Sequence, residues 1–176
     1  MVTDRRVLAG HRAMAVARAY ELHRGASVVD VAAGTTTATE EISAAFTRLA
    51  KKRPVRPSAD LVSTLGDEIR VIEVKGRGSS GPVQLPEREL DTLACAGQAG
   101  FLYVVWNTTQ SHPDELWVVR DPARLDWVED QPAARPQGAF RGVRHEARYV
   151  INSARIERAG ERIDLTFVQN LPTKPA

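Results

Sequence analysis

Residues 59–64 (ADLVST) and 69–75 (IRVIEVK) are two short apolar runs separated by Leu65-Gly66-Asp67-Glu68. Apolar, β-branched runs flanking a Gly-Asp pair form a β-hairpin. The turn sets the register. With Gly66-Asp67 as a two-residue loop, Leu65 faces Glu68, Thr64 faces Ile69, Val62 faces Val71, and Asp60 faces Glu73. A four-residue loop from Leu65 to Glu68 gives the same pairing, whereas a one-residue slip destroys it. Directly opposed residues project on one face of a sheet, with Cβ atoms about 4.5–5.5 Å apart. Glu73 and Lys75 are two apart on one strand, so they share that face. The hairpin therefore gathers Asp60, Glu73 and Lys75 on one side of a sheet.

Two opposed carboxylates in an apolar hairpin repel each other, and burying them costs free energy unless something compensates. A hard divalent cation does so: Mg²⁺ favours one or two carboxylates together with water and a substrate phosphate. Such an ion polarises the phosphate and lowers the pKa of a bound water. Lys75 beside it orients the attacking water or stabilises negative charge on the phosphorane. The expected chemistry is phosphodiester hydrolysis. A competing reading makes Glu73 and Lys75 a solvent-facing ion pair on an edge hairpin. Spacing alone favours that pair. The in-register Asp60, the apolar flanks and the glycine-rich loop GRGSSG after Lys75 favour a site.

The remaining chain supplies helices to cover the hairpin. Residues 11–23 form a helix closed by Gly25. Residues 27–32 form a short strand and 34–37 a loop. A second helix runs over 39–52, with Ile42, Ala45, Phe46 and Leu49 at helical spacing, and Pro54 and Pro57 end it. A short strand at 83–85 precedes a helix opened by Pro86, whose apolar face is Leu90, Leu93 and Ala94. Residues 101–106 (FLYVVW) are the most apolar strand, 115–119 return beside it, and Asp121-Pro122 starts a helical turn. The expected fold class is α/β, a mixed β-sheet flanked by helices. Residues 1–128 form the core. Residues 129–144, rich in Pro, Gly, Ala and Arg, form a linker or surface loop. Residues 145–169 carry peripheral strands at 149–151 and 163–167, and 170–176 form a disordered tail.

Lys and Arg number 24 against 22 Asp and Glu, so the chain is no polycation and any nucleic acid must meet a local patch. The single cysteine, Cys95, excludes an intramolecular disulfide and a cysteine-built zinc site, and fits a reducing cytoplasm. His11, His23, His112 and His145 are scattered without metal-ligand spacing. No stretch approaches a membrane span. The first residues alternate charged and apolar side chains, unlike a signal peptide, so a cytoplasmic location is expected.

Asp60 followed by Glu73-Val74-Lys75 resembles the PD-(D/E)xK nuclease core. The longer block VIEVKGRGSSGPVQLPERELDTLACAGQAGFLYVVWN, residues 71–107, resembles the domain named for the plant protein NO VEIN, found in restriction-type and helicase-associated proteins. In that family a strand ending I-E-V-K-G leads to a loop, a short strand, a helix with a glutamate and an L-Y-V-V-type strand. Glu89 matches the helical glutamate, and Leu102-Tyr103-Val104-Val105 matches the strand. The likeness covers residues 59–120, reaches the first helix only loosely, and does not extend to the C-terminal third. Ser58-Ala59 stand where the motif has its proline.

This resemblance implies a restriction-endonuclease-like core and a Mg²⁺-dependent endonuclease, with Mn²⁺ as a substitute. Asp60 and Glu73 would be metal ligands and Lys75 the catalytic lysine. An acidic residue on the first helix often joins the pattern; Glu21 is the best match, with Glu40 and Glu41 as rivals. Glu89 stands either at the site mouth or as a complement to the helix dipole. Gln84 projects back from the short strand.

Phosphate contacts fall to two groups. Lys51, Lys52, Arg53 and Arg56 precede Asp60; they either hold phosphates or merely suit a helix C-terminus. Arg77 sits on the loop where Gly76, Gly78 and Gly81 let backbone amides approach a phosphate. The three tryptophans are read as packing residues. No sequence-reading module is visible. Specificity is therefore expected from a helicase or restriction-system partner, and cutting both strands from a homodimer. The expected substrate is DNA in restriction, defence or repair. The alternative is a non-catalytic nucleic-acid- or protein-binding module on the same fold.

Overall fold

Three antiparallel strands open the sheet: β1 (Ser27–Asp30), β2 (Leu61–Leu65) and β3 (Glu68–Gly76). The computed structural model describes residues 5–32, 36–109, 112–130 and 146–168. Gly66 takes φ 58° at the β2–β3 turn, a conformation that favours glycine. After β3 the chain forms β4 (Val83–Pro86) and the helix α3 (Glu87–Ala96), then returns as β5 (Gly100–Trp106) parallel to β3. The strand β6 (Glu115–Arg120) turns back antiparallel to β5. A short strand β7 (Val128–Glu129) follows. The C-terminal segment adds β8 (Arg148–Ile151), the helix α4 (Ser153–Ala159) and β9 (Glu161–Ile163). The result is a six-stranded mixed sheet in the order β1-β2-β3-β5-β6-β9, and a smaller sheet in the order β4-β8-β7.

Both faces of the large sheet are covered, which is why β5 is buried along its whole length. The helix α1 (Arg5–His23) lies on one face and buries Ala9, Ala13, Val16, Ala17 and Glu21. Its partners are Leu61, Ile72, Val74, Phe101, Tyr103 and Val105. On the other face α2 (Thr36–Arg48) packs Ile42, Ala45 and Phe46 against Val62, Ile69 and Val71. There α3 and the small sheet cover Leu102, Val104 and Trp106 with Leu93, Val83, Leu85 and Ile151. No helix among the described residues is long and apolar enough to cross a membrane.

Several sequence-based boundaries shift. The first helix begins at Arg5, six residues before the expected start, and α2 spans Thr36–Arg48 rather than 39–52. A helix at Ser153–Ala159 was not expected. Asn152 caps it, its side chain accepting from the Arg155 N–H at 3.0 Å. The strand expected over 163–167 is instead β9, ending at Ile163; Asp164 Oδ1 then accepts from the Thr166 N–H at 2.9 Å and turns the chain. Most of the 129–144 segment and the 170–176 tail lie outside the described residues.

The alanine-rich face of α1 brings its backbone directly onto β3. A Cβ on Gly76 would stand 2.2 Å from the Ala9 carbonyl oxygen and 2.9 Å from Ala13 Cβ. Backbone cannot move aside as a flexible side chain does, so Gly76→Ala should destabilise the fold by about 3 kcal/mol. Gly10→Ala meets nothing within 4 Å and should stabilise α1 by ~0.5–1 kcal/mol. Urea midpoints at unchanged slope read both effects. A Gly76→Ala midpoint equal to wild type would contradict the helix–strand contact.

Candidate active site

The register of the hairpin places the site. Leu65 pairs with Glu68, Thr64 with Ile69 and Val62 with Val71, as the Gly-Asp turn requires. Asp60 lies one residue before β2, its N–H donating to the carbonyl of Ile72, the partner of Leu61, at 2.9 Å. Its own carbonyl accepts from Val31 N–H at 2.9 Å, and its Oδ2 accepts from Val74 N–H at 2.8 Å. Backbone on both sides therefore holds the Asp60 carboxylate against β3.

On β3, Glu73 is only 3% exposed. Lys75 donates to Glu73 Oε1 at 2.6 Å and to Glu89 Oε2 at 2.6 Å. Glu89 lies in the first turn of α3, so the helix brings a third carboxylate to the hairpin's two. Asp60, Glu73, Lys75 and Glu89 thus form one cluster.

The charges explain its character. Burial pushes the Glu73 carboxyl well above the usual range; Lys75 opposes this, while Asp60 and Glu89 add to it. Burial also raises Asp60, against the Val74 N–H, Lys75 and a side-chain hydrogen bond with Glu73. Two carboxyl groups in hydrogen-bonding range share a proton more readily than they both ionise. Burial works against the Lys75 ammonium, but Glu73 and Glu89 outweigh it and hold its pKa above that of an ordinary lysine.

Glu21 does not join this cluster. Residues alternate across β3, so Arg70 points to the face opposite Glu73, and α1 packs on that face. There Glu21, wholly buried, accepts from Arg70 Nη1 and Tyr103 Oη through Oε1, and from Arg24 Nη1 and Ser63 Oγ through Oε2. Glu68 also pairs with Arg24 and Arg70. Burial raises the Tyr103 pKa, and Glu21 raises it further. This network ties α1 to β2, β3 and β5. One sequence signal points to it: Ser63 and Arg70 oppose each other in the same register, on the face away from Glu73. An arginine half-buried there calls for a carboxylate from the covering helix. Glu40 and Glu41 lie on α2, Glu40 exposed and Glu41 partly so.

The upstream basic cluster also lies apart. Lys51 Nζ sits against Gly97, at the C-terminal end of α3, whereas Glu89 and Lys75 meet at its N-terminal end. Eight residues of helix separate those ends by about 12 Å. Arg53 donates to Ser43 Oγ on α2, and Lys52 and Arg56 are exposed. The expected phosphate role of these four has no counterpart at the cluster, because the chain passes the far end of α3 before it reaches Asp60.

Beyond Lys75 the surface opens into a cleft of about 670 Å³. Arg77 and Gln84 line it, as does Lys75 itself. Gln84 turns its amide to Asp130, with Nε2 donating at 3.0 Å. Arg5, Arg6 and Arg148 also line it and were not singled out in the sequence, since they reach it from α1 and β8. Compared with models of protein families, with curated protein sequences and with solved structures, the chain matches none.

For cation binding, the donors at hand are the oxygens of Asp60 and Glu73. Among the described residues no group of three or more His, Cys, Asp or Glu forms a metal cage. A pair of carboxylates nonetheless suits Mg²⁺, which keeps several waters. Burial and mutual repulsion disfavour two charges on this pair, and a divalent cation relieves both.

Raised carboxyl pKa values have a fixed sign. The folded state retains protons that the unfolded state has lost, so stability falls as pH rises from the ordinary carboxylate range through the raised Glu73 value. Glu73→Gln, which keeps the shape without the charge, should remove most of this fall. Melting temperatures across pH 4 to 9, about one carboxylate pKa upward, read it. Parallel wild-type and variant curves would contradict a strained Glu73.

Proposed function

We propose that the chain is a metal-dependent nuclease that hydrolyses phosphodiester bonds of nucleic acid, with DNA as its substrate. The observation that carries this reading is the contrast between the two buried glutamates. Glu21 receives four donors and is fully compensated. Glu73 receives an ammonium that it shares with Glu89, and it faces Asp60 and Glu89 as like charges. A buried glutamate crowded by a half-buried aspartate, beside a lysine that lines an open cleft, is an arrangement in which functional sites are found. The succession β3, glycine loop, β4, α3 with Glu89, then β5 parallel to β3 also follows the order of the restriction-endonuclease-like, NO VEIN-type resemblance.

In this reading Asp60 and Glu73 hold a Mg²⁺, or a Mn²⁺ in its place, which supplies a Lewis acid and a water of lowered pKa. Lys75 keeps its proton at neutral pH and stabilises negative charge on the reacting phosphate, or orients the attacking water. Glu89 fixes the Lys75 ammonium from α3 and positions it beside Glu73. Val74 N–H sets the direction of the Asp60 carboxylate.

Work in restriction, defence or repair, a helicase or restriction-system partner, pairing with a second copy and a cytoplasmic location belong to the same proposal. A second reading, a binding module on the same fold, is favoured by one observation: Lys75 already gives two of its three N–H donors to carboxylates.

Cleavage of plasmid and single-stranded DNA with Mg²⁺, Mn²⁺ or EDTA separates the two. Metal-dependent cutting is expected, with a loss of about 10²–10⁴-fold in Lys75→Ala. Glu89→Gln, which leaves Lys75 one anionic partner, should lower the rate less and shift its pH profile. An inactive wild type that still binds DNA would favour the binding module.

A further inference from the structure

We propose that Arg5, Arg6, Arg77 and Arg148 form a phosphate clamp that lays a nucleic-acid strand against Lys75 by its sugar–phosphate backbone, without reading bases. This rests on the nuclease reading above and adds to it the residues that hold the substrate and the basis of its selection.

The clamp is assembled by tertiary structure. Arg5 and Arg6 come from the first turn of α1, Arg77 from the residue after β3, and Arg148 from the start of β8. All four are exposed. They line the same cleft as Lys75, and among the described residues no carboxylate lines it with them. In a chain with 24 basic and 22 acidic residues, a surface of one sign is a local concentration rather than a reflection of net charge. Clefts lined by one sign raise the local concentration of oppositely charged ligands.

The position of the clamp depends on one close approach. Because Gly76 admits the α1 backbone, the first turn of that helix reaches the end of β3, where Lys75 and Arg77 lie. Gly76, Gly78 and Ser79 also line the cleft, so a phosphate meets slender backbone there. A Cβ on Gly78 would stand 2.7 Å from Thr109 Oγ1, which keeps that strip narrow.

What the cleft lacks defines how it selects. Proteins that hold single strands by their bases use aromatic stacking platforms. No aromatic residue lines this cleft among the described residues. Arginines on phosphates fix position and carry no sequence information. The ligand is therefore any strand that offers consecutive phosphates, in a duplex or alone.

Fluorescence anisotropy in EDTA tests this, with two labelled duplexes of unrelated sequence and one single strand, titrated against KCl. The two duplexes should bind alike, and the single strand no more tightly. Arg5→Ala/Arg148→Ala should reduce the slope of log K against log salt by about 1.8, ~0.9 for each phosphate left without its arginine. Arg5→Lys/Arg148→Lys should restore most of it. Lys51→Ala/Arg53→Ala, which removes two charges outside the cleft, should leave it unchanged. A wild-type slope in the alanine variant, an equal loss in the Lys51/Arg53 variant, or tighter binding of the single strand would overturn the clamp. Adding Mg²⁺ separates the two claims. Binding that follows this pattern without cleavage sinks the nuclease reading alone. Cleavage by a protein whose slope ignores Arg5 and Arg148 sinks the clamp alone.

Discussion

The pairing of β2 with β3 is the constraint on which the rest depends. The turn at Gly66-Asp67 sets it, and alternation along β3 then sorts every side chain. Ile69, Val71, Glu73 and Lys75 take one face; Arg70, Ile72 and Val74 take the other. A slip by one residue would exchange the two sets. It would place Glu73 beneath α1, where Glu21 already lies, and Arg70 among the apolar side chains of α2. The register thus decides the core and the site together.

The same strand carries buried charge on both faces, with opposite outcomes. Beneath α1, Glu21, Arg70, Tyr103, Arg24 and Glu68 satisfy one another, with Glu21 saturated by donors. Such a network adds no more than a modest net stability, but removing Glu21 would leave Arg24 and Arg70 with only the exposed Glu68 as an anionic partner. It makes the docking of α1 specific, and α1 carries Arg5 and Arg6 to the cleft. On the far face, Asp60, Glu73 and Glu89 outnumber the one ammonium, Lys75, which bonds only Glu73 and Glu89. A fold can keep such an imbalance where function requires it, with the stabilised face offsetting the strain.

The hairpin, Asp60, Glu73 and Lys75 were legible in the sequence because their geometry is local. It needs only a turn type and a period of two. The apolar strand β5 and its return as β6 were legible too, but the parallel pairing of β5 with β3 depends on how α3 docks and was not read from the sequence. Glu21 was misplaced because the face of β3 under α1 is a matter of packing that a helix pattern does not reveal. Arg5 and Arg148 escaped notice for a related reason. They stand 143 positions apart in the chain and meet only when α1 and β8 dock at the same end of β3. The Lys51–Arg56 cluster shows the converse: closeness to Asp60 along the chain did not bring it to the site. The helix α4 was overlooked although Asn152-Ser153 is a capping signal, because seven residues are too few for a clear apolar period.

In the proposed nuclease, Asp60 and Glu73 are held together, against their own repulsion, to take a divalent cation. Anomalous scattering from Mn²⁺ introduced into crystals of the protein tests it most directly. One strong peak is expected about 2 Å from an oxygen of each carboxylate, lost in Glu73→Gln. A well-diffracting crystal with no peak at that pair, while Mn²⁺ binds elsewhere or not at all, would contradict it.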